Sequence, residues 1–588
     1  MEPCVIAPSQ VRLPRSSMPR SAASPPPTPR PLWPPRRVWI TLSSLATAAV
    51  LVRAGLLEMV AGSIVDQAVR NIITLILAFA GLVSLVLWLL RESGHPVAVK
   101  RTVGWGLVGL VLAGLAALRI ERVSGDLVPE FRFRWSPSPD RLLPAADAAG
   151  RPAGQPVPDS TAGQHVADWT ATPTDFPRFL GPTGGAALDA PRLDPDWQAR
   201  PPELRWREPI GAGWSGFATC GDHAVTLEQR GDEEVVTCRS IATGRLEWAV
   251  PVRARHATIL GGVGPRSTPT IDSGTVFTTG GTGWLHAIDG ATGKVAWKKN
   301  VLADLGIDPV AHDEGIPWGR AGSPLVTGSL VIVPGGSPRR EPGPGAARAV
   351  SLVAYDRASG DRRWTAGNEQ ISYVTPELVR VGEREVVLAV NEARVVAYDP
   401  AAGSELWSFG WPGHSNSDAT CSQARLLADG RIFISKGYGI GAAVFAAAAD
   451  AAAGGRPAFA AVWRQPGYLK TKFTNVAIHE GHAYGLSDGI LECVRLADGS
   501  RRWKKGRYGQ GQVLRVGELL VVQAEDGVVV LVECQPERHV ERGRLAAISG
   551  QTWNNPCLAG DRLLVRNAQE AACFTLPVLA SDRVDAAP

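Results

Sequence analysis

Twelve side chains stand out for what they can bind. Trp214, Ser215, Arg266, Trp318, Arg320, Tyr373, Asn416, Lys470, Lys472, Trp553, Asn554 and Asn555 mix flat aromatic, cationic and amide groups. Together such groups can stack on a planar ligand, hold an anion or grip a peptide. Loop packing and strand-end hydrogen bonding are the plainer use of each, although Arg266 and Arg320 have no packing reason visible in the pattern. Groups for bond-breaking chemistry are sparse. His479-Glu-Gly-His482 superficially resembles a metal pair, but it occupies the same place as Asp272-Ser-Gly274, between two strands, and reads as a solvated turn. There is no His-Glu-x-x-His, nucleophile elbow, phosphate loop or Cys-x-x-Cys. No catalytic, cofactor-binding or metal-ligating residue is therefore assigned.

The twelve residues fall in connections between repeated units. The repeat is small–x–Asp–x–x–Thr–Gly–x–x–x–Trp, clearest in Ala287-Ile-Asp289-Gly-Ala-Thr-Gly293-Lys-Val-Ala-Trp297. The same spacing joins Cys238, Gly244 and Trp248; Ala354, Gly360 and Trp364; Ala397, Gly403 and Trp407; and Cys493, Gly499 and Trp503. A period kept this strictly marks a repeat architecture. The apolar and alternating segments before each motif read as strands, and the Asp/Gly pair as a tight turn. Each unit is then a four-stranded sheet that cannot bury itself alone and must stack in a ring. Eight units end at Trp206, Trp248, Trp297, Trp364, Trp407, Trp463, Trp503 and Leu545. An Ala-rich insert, 446–455, replaces the turn of the Trp463 unit. The Trp206 unit has no strands before it, so residues 555–576 should supply them and close the ring. Cys238 and Cys493, with Cys534 and Cys573, fall in the slot that elsewhere holds Ala, which calls for a small buried residue. With Cys4 set apart, seven cysteines remain, so at least one is unpaired within the chain.

These units resemble the pyrroloquinoline-quinone propeller repeat of quinoprotein alcohol and glucose dehydrogenases and of the outer-membrane assembly factor BamB. The resemblance covers residues 176–576. Phe176-Pro-Arg-Phe-Leu-Gly-Pro182, Gly264-Pro-Arg-Ser-Thr-Pro269, Trp318-Gly-Arg-Ala-Gly-Ser-Pro324 and Thr552-Trp-Asn-Asn-Pro556 are similar to elements of one bacterial group of such propellers. It implies an all-β, eight-bladed β-propeller, and it gives architecture rather than activity. A quinoprotein alcohol dehydrogenase is expected to carry two adjacent cysteines over the quinone, and this chain has none. Membrane glucose dehydrogenase is similar in plan and lacks that requirement. A quinone site would still need Ca²⁺ held by oxygen ligands and a catalytic Asp, for which only Asp418 and Glu377 are plausible.

The first 120 residues must hold this ring to something. Residues 1–37 are rich in Pro, Ser and Arg and read as a disordered cytoplasmic tail. Apolar stretches follow at 38–52, 71–90 and 103–118, giving about three transmembrane helices in a 38–120 anchor. Arg30, Arg36 and Arg37 precede the first stretch, and Arg91, Lys100 and Arg101 separate the second from the third. The positive-inside rule puts both groups in the cytoplasm and the rest of the chain on the periplasmic side. A Pro/Ala-rich linker (121–175), the propeller (176–580) and a tail (581–588) complete the division. A net charge of +5 over 588 residues, with no basic run, excludes a nucleic-acid partner.

The reading that follows is a multi-pass membrane protein whose extracytoplasmic propeller binds or scaffolds an envelope protein or small ligand. A dehydrogenase using pyrroloquinoline quinone with Ca²⁺ is the first alternative, and an envelope ligand sensor the second.

Overall fold

The computed structural model describes residues 30–57, 65–143, 169, 171–337, 348–448 and 457–579. The tail at 1–29, most of the linker (144–168) and most of the Ala-rich insert (449–456) lie outside them. The chain divides into two units, residues 1–48 with 77–111, and residues 49–76 with 112–588.

Three helices are described in full before the strands. These are α1 (Arg36–Arg53), α2 (Gln67–Leu87, extended by a wider turn over Trp88–Glu92) and α3 (Val97–Ala117). In the first unit Arg37 pairs with Glu92 at 2.5 Å. Two of the three helices, Gln67–Glu92 and Val97–Ala117, are long and apolar enough to cross a membrane. At 1.5 Å per residue each reaches the roughly 30 Å of a bilayer core. Helix α1 is not among them: it carries Arg36, Arg37 and Arg53 and interrupts its apolar run with Thr41, Ser43, Ser44 and Thr47. The expected count of about three spans thus becomes two candidates among the described residues.

The second unit is an eight-bladed β-propeller. Seven blades run in chain order over residues 218–253, 270–300, 325–366, 377–410, 425–465, 477–507 and 512–546, each of four strands, the last joined by a short parallel strand, Ala187–Leu188. The eighth takes three strands from 557–575 and its outer strand, Glu203–Pro209, from the start of the ring. Cys573 there faces Trp206 across the ladder, so the two ends of the repeat region meet in one sheet as the unit count requires.

The motif now has a physical meaning. In each complete copy the small residue lies directly opposite the tryptophan: Cys238 with Trp248, Ala287 with Trp297, Ala354 with Trp364, Ala397 with Trp407 and Cys493 with Trp503. A bulge follows that pair in every blade. The motif glycine receives the tryptophan of the preceding blade. Gly244, Gly293, Gly360, Gly403 and Gly499 have φ between +68° and +74°, and a Cβ on them would lie 2.6–2.8 Å from the ring or Cβ of Trp206, Trp248, Trp297, Trp364 and Trp463, respectively. The indole N–H then donates to a carbonyl of the same turn, as Trp248 does to Gly290 (2.8 Å) and Trp297 to Arg357 (2.9 Å).

Blade 7 departs from the sequence reading. Its ladder pairs Leu531 with Gly543, so the slot holds Leu531 and the tryptophan position is Gly543, two residues before Leu545. Cys534 lies past the end of its strand, Val528–Glu533, and is not in the slot. Trp197, from the segment leading into the ring, is buried against Gly543 and fills the vacated volume. Among the described residues Cys238, Cys421, Cys493, Cys534, Cys557 and Cys573 form no disulfide.

Glycine substitutions separate packing from backbone strain. Gly360→Ala is expected to cost about 2–4 kcal/mol, from about 1–2 for a left-handed residue and the remainder from crowding Trp297. Gly382 has φ +62° but nothing within 4 Å of its would-be Cβ, so Gly382→Ala should lose only the backbone part. Denaturant unfolding of the two variants compares them, and equal losses would remove the glycine–tryptophan contact from this role.

Candidate functional site

Each blade ends on its tryptophan strand, and the chain then crosses to the innermost strand of the next blade. Seven of the eight crossings line one cavity of about 500 Å³, through Trp214, Arg266, Trp318, Tyr373, Asn416, Lys472 and Trp553, and blade 7 adds Gln512 from the start of its innermost strand. The lead-in segment supplies Phe179. That segment crosses the ring's centre: it bonds to Thr219 of blade 1 (2.8 Å), Ile271 of blade 2 (2.8 Å), Arg425 of blade 5 (2.7 Å) and Arg515 of blade 7 (2.9 Å).

Eight of the twelve sequence-selected residues line the cavity, namely Trp214, Arg266, Trp318, Tyr373, Asn416, Lys472, Trp553 and Asn555. Four do not. Ser215 is fully buried, its hydroxyl meeting Thr226 and the Leu227 N–H at 3.2 Å each. Asn554 is buried and donates to the Ser215 carbonyl at 2.8 Å. Arg320 donates to the Gly335 and Pro334 carbonyls at 2.5 Å each. Lys470 is buried beside Asp488 at 4.0 Å.

The two arginines without a visible reason in sequence thus have one in structure. Arg266 donates to the carbonyls of Gly261 (2.6 Å), Gly262 (3.2 Å) and Gly264. Burial lowers both guanidinium pKa values to about 10. Backbone carbonyl partners leave no residue-type signal, so sequence could not show them.

The aromatic groups are also committed at their polar ends. Trp214 Nε1 donates to Gly261 (2.7 Å), Trp553 Nε1 to Glu525 (2.9 Å) and the Tyr373 hydroxyl to Ser415 (2.8 Å). Trp214 packs on Trp553 at 4.8 Å, Phe473 on Trp553 at 4.7 Å, and Trp318 edge-on to Tyr373 at 5.8 Å. What remains toward the cavity is ring and methyl surface. Phe179, Tyr438, Phe473 and Cys421 add to it and were not selected from sequence. Phe179 was visible within the Phe176–Pro182 element, and Phe473 adjoins Lys472.

Two further walls come from outside the ring. Asp66, Ala68, Val69 and Ile72, at the start of α2, line the cavity. So do Val123, Ser124, Gly125 and Leu127, at the tip of a hairpin formed by β1 (Leu118–Val123) and β2 (Pro129–Phe133). This hairpin falls across the boundary where a linker was expected. Lys472 fastens both walls: it lies 3.0 Å from Asp66, 3.7 Å from Asp488 and 4.0 Å from Asp126. Asp488 also accepts from the Gln67 N–H (2.9 Å), and Glu525 from the Gly125 N–H (2.9 Å). Lys472, read as a grip for an anionic ligand, is spent on this clasp.

A Ca²⁺–quinone group does not fit. Asp66 is the only carboxylate lining the cavity, and Lys472 holds it. Glu377 is bound by Arg425 (2.9 Å), and Asp418 by His414 (2.9 Å) and Lys436 (3.3 Å). The oxygen cluster that Ca²⁺ needs is not assembled from these residues. His479 and His482 flank a hairpin turn with Glu480 and Gly481 at positive φ. Among the described residues one His/Cys/acid group is compact, His223, Cys238 and Glu247 in blade 1. Its hydrogen bonds are internal, with Glu247 accepting from His223 (2.7 Å) and Cys238 (3.3 Å).

Residues 203–505 match the model of the family described as outer membrane protein assembly factor BamB. The chain belongs to that family. Among solved structures, BamB from Moraxella catarrhalis is similar at 15% identity and a TM-score of 0.44, covering 64% of this chain and all of that one. A europium-containing methanol dehydrogenase is similar at 11% identity and a TM-score of 0.43, covering 69% and 98%. Quinohemoprotein alcohol dehydrogenase from Comamonas testosteroni is similar at 12% and 0.40, covering 72% and 83%. No curated protein matches. Within the BamB family this chain carries the cavity walls just described in addition to its propeller.

The clasp can be tested by its charges. Lys472→Met leaves three neighbouring carboxylates without their cation, and breaking such a buried pair costs about 3–5 kcal/mol. Amide exchange at residues 65–72 and 124–128 should speed up by at least tenfold, with the blades unchanged. Burial raises the Asp126 pKa, so the docked tip holds a proton that the undocked tip releases. Docking should therefore weaken as pH climbs from the ordinary carboxylate range through that raised value, and Asp126→Asn should flatten the exchange–pH curve.

Proposed function

We propose that this protein is a membrane-anchored binding module whose propeller face takes a small, largely apolar ligand. The observation that carries this is the cavity that seven of the eight crossings line and whose Trp214, Trp553 and Tyr373 polar ends are turned into the wall. A site of this volume, with flat aromatic surface and few free polar groups, matches small-molecule pockets. Burial pushes the thiol pKa of its Cys421 up to about 12, and among the described residues no general base or metal cluster faces it, so binding rather than turnover is the reading it supports. Membership of the BamB family favours a second reading, a scaffold for a protein partner in the envelope.

The anchor is assigned to α2 and α3. Arg91, Lys100 and Arg101 cluster where these helices connect, which by the positive-inside rule is the cytoplasmic end. The propeller follows one crossing later, on the periplasmic side. This orientation rests on α3 alone and stands whether or not α1 spans.

A photoactivatable phenyl-diazirine probe tests the site in full-length protein held in nanodiscs. Saturable labelling should map to peptides containing Trp318, Phe473 and Trp553, and Ala321→Phe, which fills the cavity, should reduce it by at least tenfold. Labelling confined to the outer faces of α2 and α3 would sink the proposal. Pyrroloquinoline quinone with Ca²⁺ should not compete; protection by that pair would restore the dehydrogenase reading.

A further inference from the structure

The hairpin of β1 and β2 has two unlike faces. Cross-strand pairing puts Leu118 opposite Phe133, Ile120 opposite Phe131 and Val123 opposite Pro129, all on one face. Arg119 opposite Arg132 and Arg122 opposite Glu130 occupy the other. The apolar face is open: Ile120 is 44% exposed, Phe131 61%, Phe133 50% and the following Trp135 71%. Phe133 and Trp135 stack at 4.8 Å. An exposed aromatic face on a two-stranded sheet is costly in water and calls for a covering surface.

Its position says what covers it. β1 starts at the residue after α3 ends. Arg134 donates its backbone N–H to the Ala117 carbonyl (2.8 Å) and its Nε to the Leu115 carbonyl (3.0 Å), taking two of the carbonyls that a helix end leaves open. The hairpin base is thereby fixed to the end of the helix and cannot swing clear of it. From Phe133 to Phe131 is two residues, about 7 Å along a strand, comparable to the interfacial layer on each side of a bilayer core. Aromatic rings with flanking arginines are the side chains that settle there.

We infer that the hairpin rests in the lipid interface at the outer end of α3, with Ile120, Phe131, Phe133 and Trp135 immersed and the part-buried arginine face turned away from the lipid. This rests on α3 crossing the membrane. Its tip forms a wall of the cavity, so the propeller mouth is held at the lipid surface.

Nitroxide labels at Phe131→Cys, Phe133→Cys and Arg132→Cys, in a Cys4→Ser, Cys421→Ser background, test this in full-length protein reconstituted in vesicles. Labels at 131 and 133 should relax at least threefold more with oxygen than with a water-soluble nickel chelate, and the label at 132 the reverse. Water-type accessibility at all three overturns the inference. Spin–spin broadening at 131 also overturns it, because a second copy would then cover the face. Alkaline carbonate extraction of the same vesicles separates the causes: release of the chain means that α3 does not anchor it, and retention with water-exposed labels means that only the hairpin assignment fails.

Discussion

The ring depends on a tryptophan lying over the left-handed glycine of the next blade. The glycine has to lack a Cβ for two independent reasons, the positive φ and the indole a few ångströms away. The indole in turn needs a small residue across the ladder, which is why Ala and Cys alternate in that slot. Its N–H ties the same turn by a hydrogen bond. One contact therefore sets the spacing between blades, the content of the slot and the pitch of the turn. Burial of an indole is among the larger single gains available to a core, and here it is repeated around the ring.

That repetition determines where the site can be. Each tryptophan strand ends at the same level, so every crossing to the next blade arrives at the same face. Backbone carbonyls left over at those strand ends collect arginine and indole donors, as Gly261 does from Arg266 and Trp214. Polar groups are used up in holding the loops, and the cavity receives what is left. Its apolar character follows from the way the loops are tied, without any further assumption about a ligand.

Sequence exposed what is local. The five complete motifs lie within eleven residues each, so spacing alone revealed blades, turns and the strands that close the ring. It failed where partners are distant. In blade 7 the missing indole is Trp197, from the lead-in, and without it the slot was placed at Cys534 in place of Leu531. Lys472 stood out as a loop cation, but the carboxylate that neutralises it, Asp66, comes from about 400 residues earlier. The hairpin that carries Val123 and Leu127 to the cavity was hidden in a stretch whose Pro/Ala content reads as linker. Eight of the twelve residues selected from sequence nonetheless line the cavity, because being on a crossing is itself a local property.

The eighth blade carries a consequence for how the protein is made. Its outer strand, Glu203–Pro209, leaves the ribosome first, and the strand it pairs with, Glu570–Thr575, leaves last. At about 5–20 residues per second, synthesis of the intervening segment takes about 20–70 s. Throughout that interval Trp206 can lie on blade 1, but its strand has no ladder partner and presents a bare edge. The growing propeller is an open crescent with two sticky ends. A holding factor at the point of emergence, or slow pairing elsewhere in the chain, has to keep that first strand single until the final one arrives.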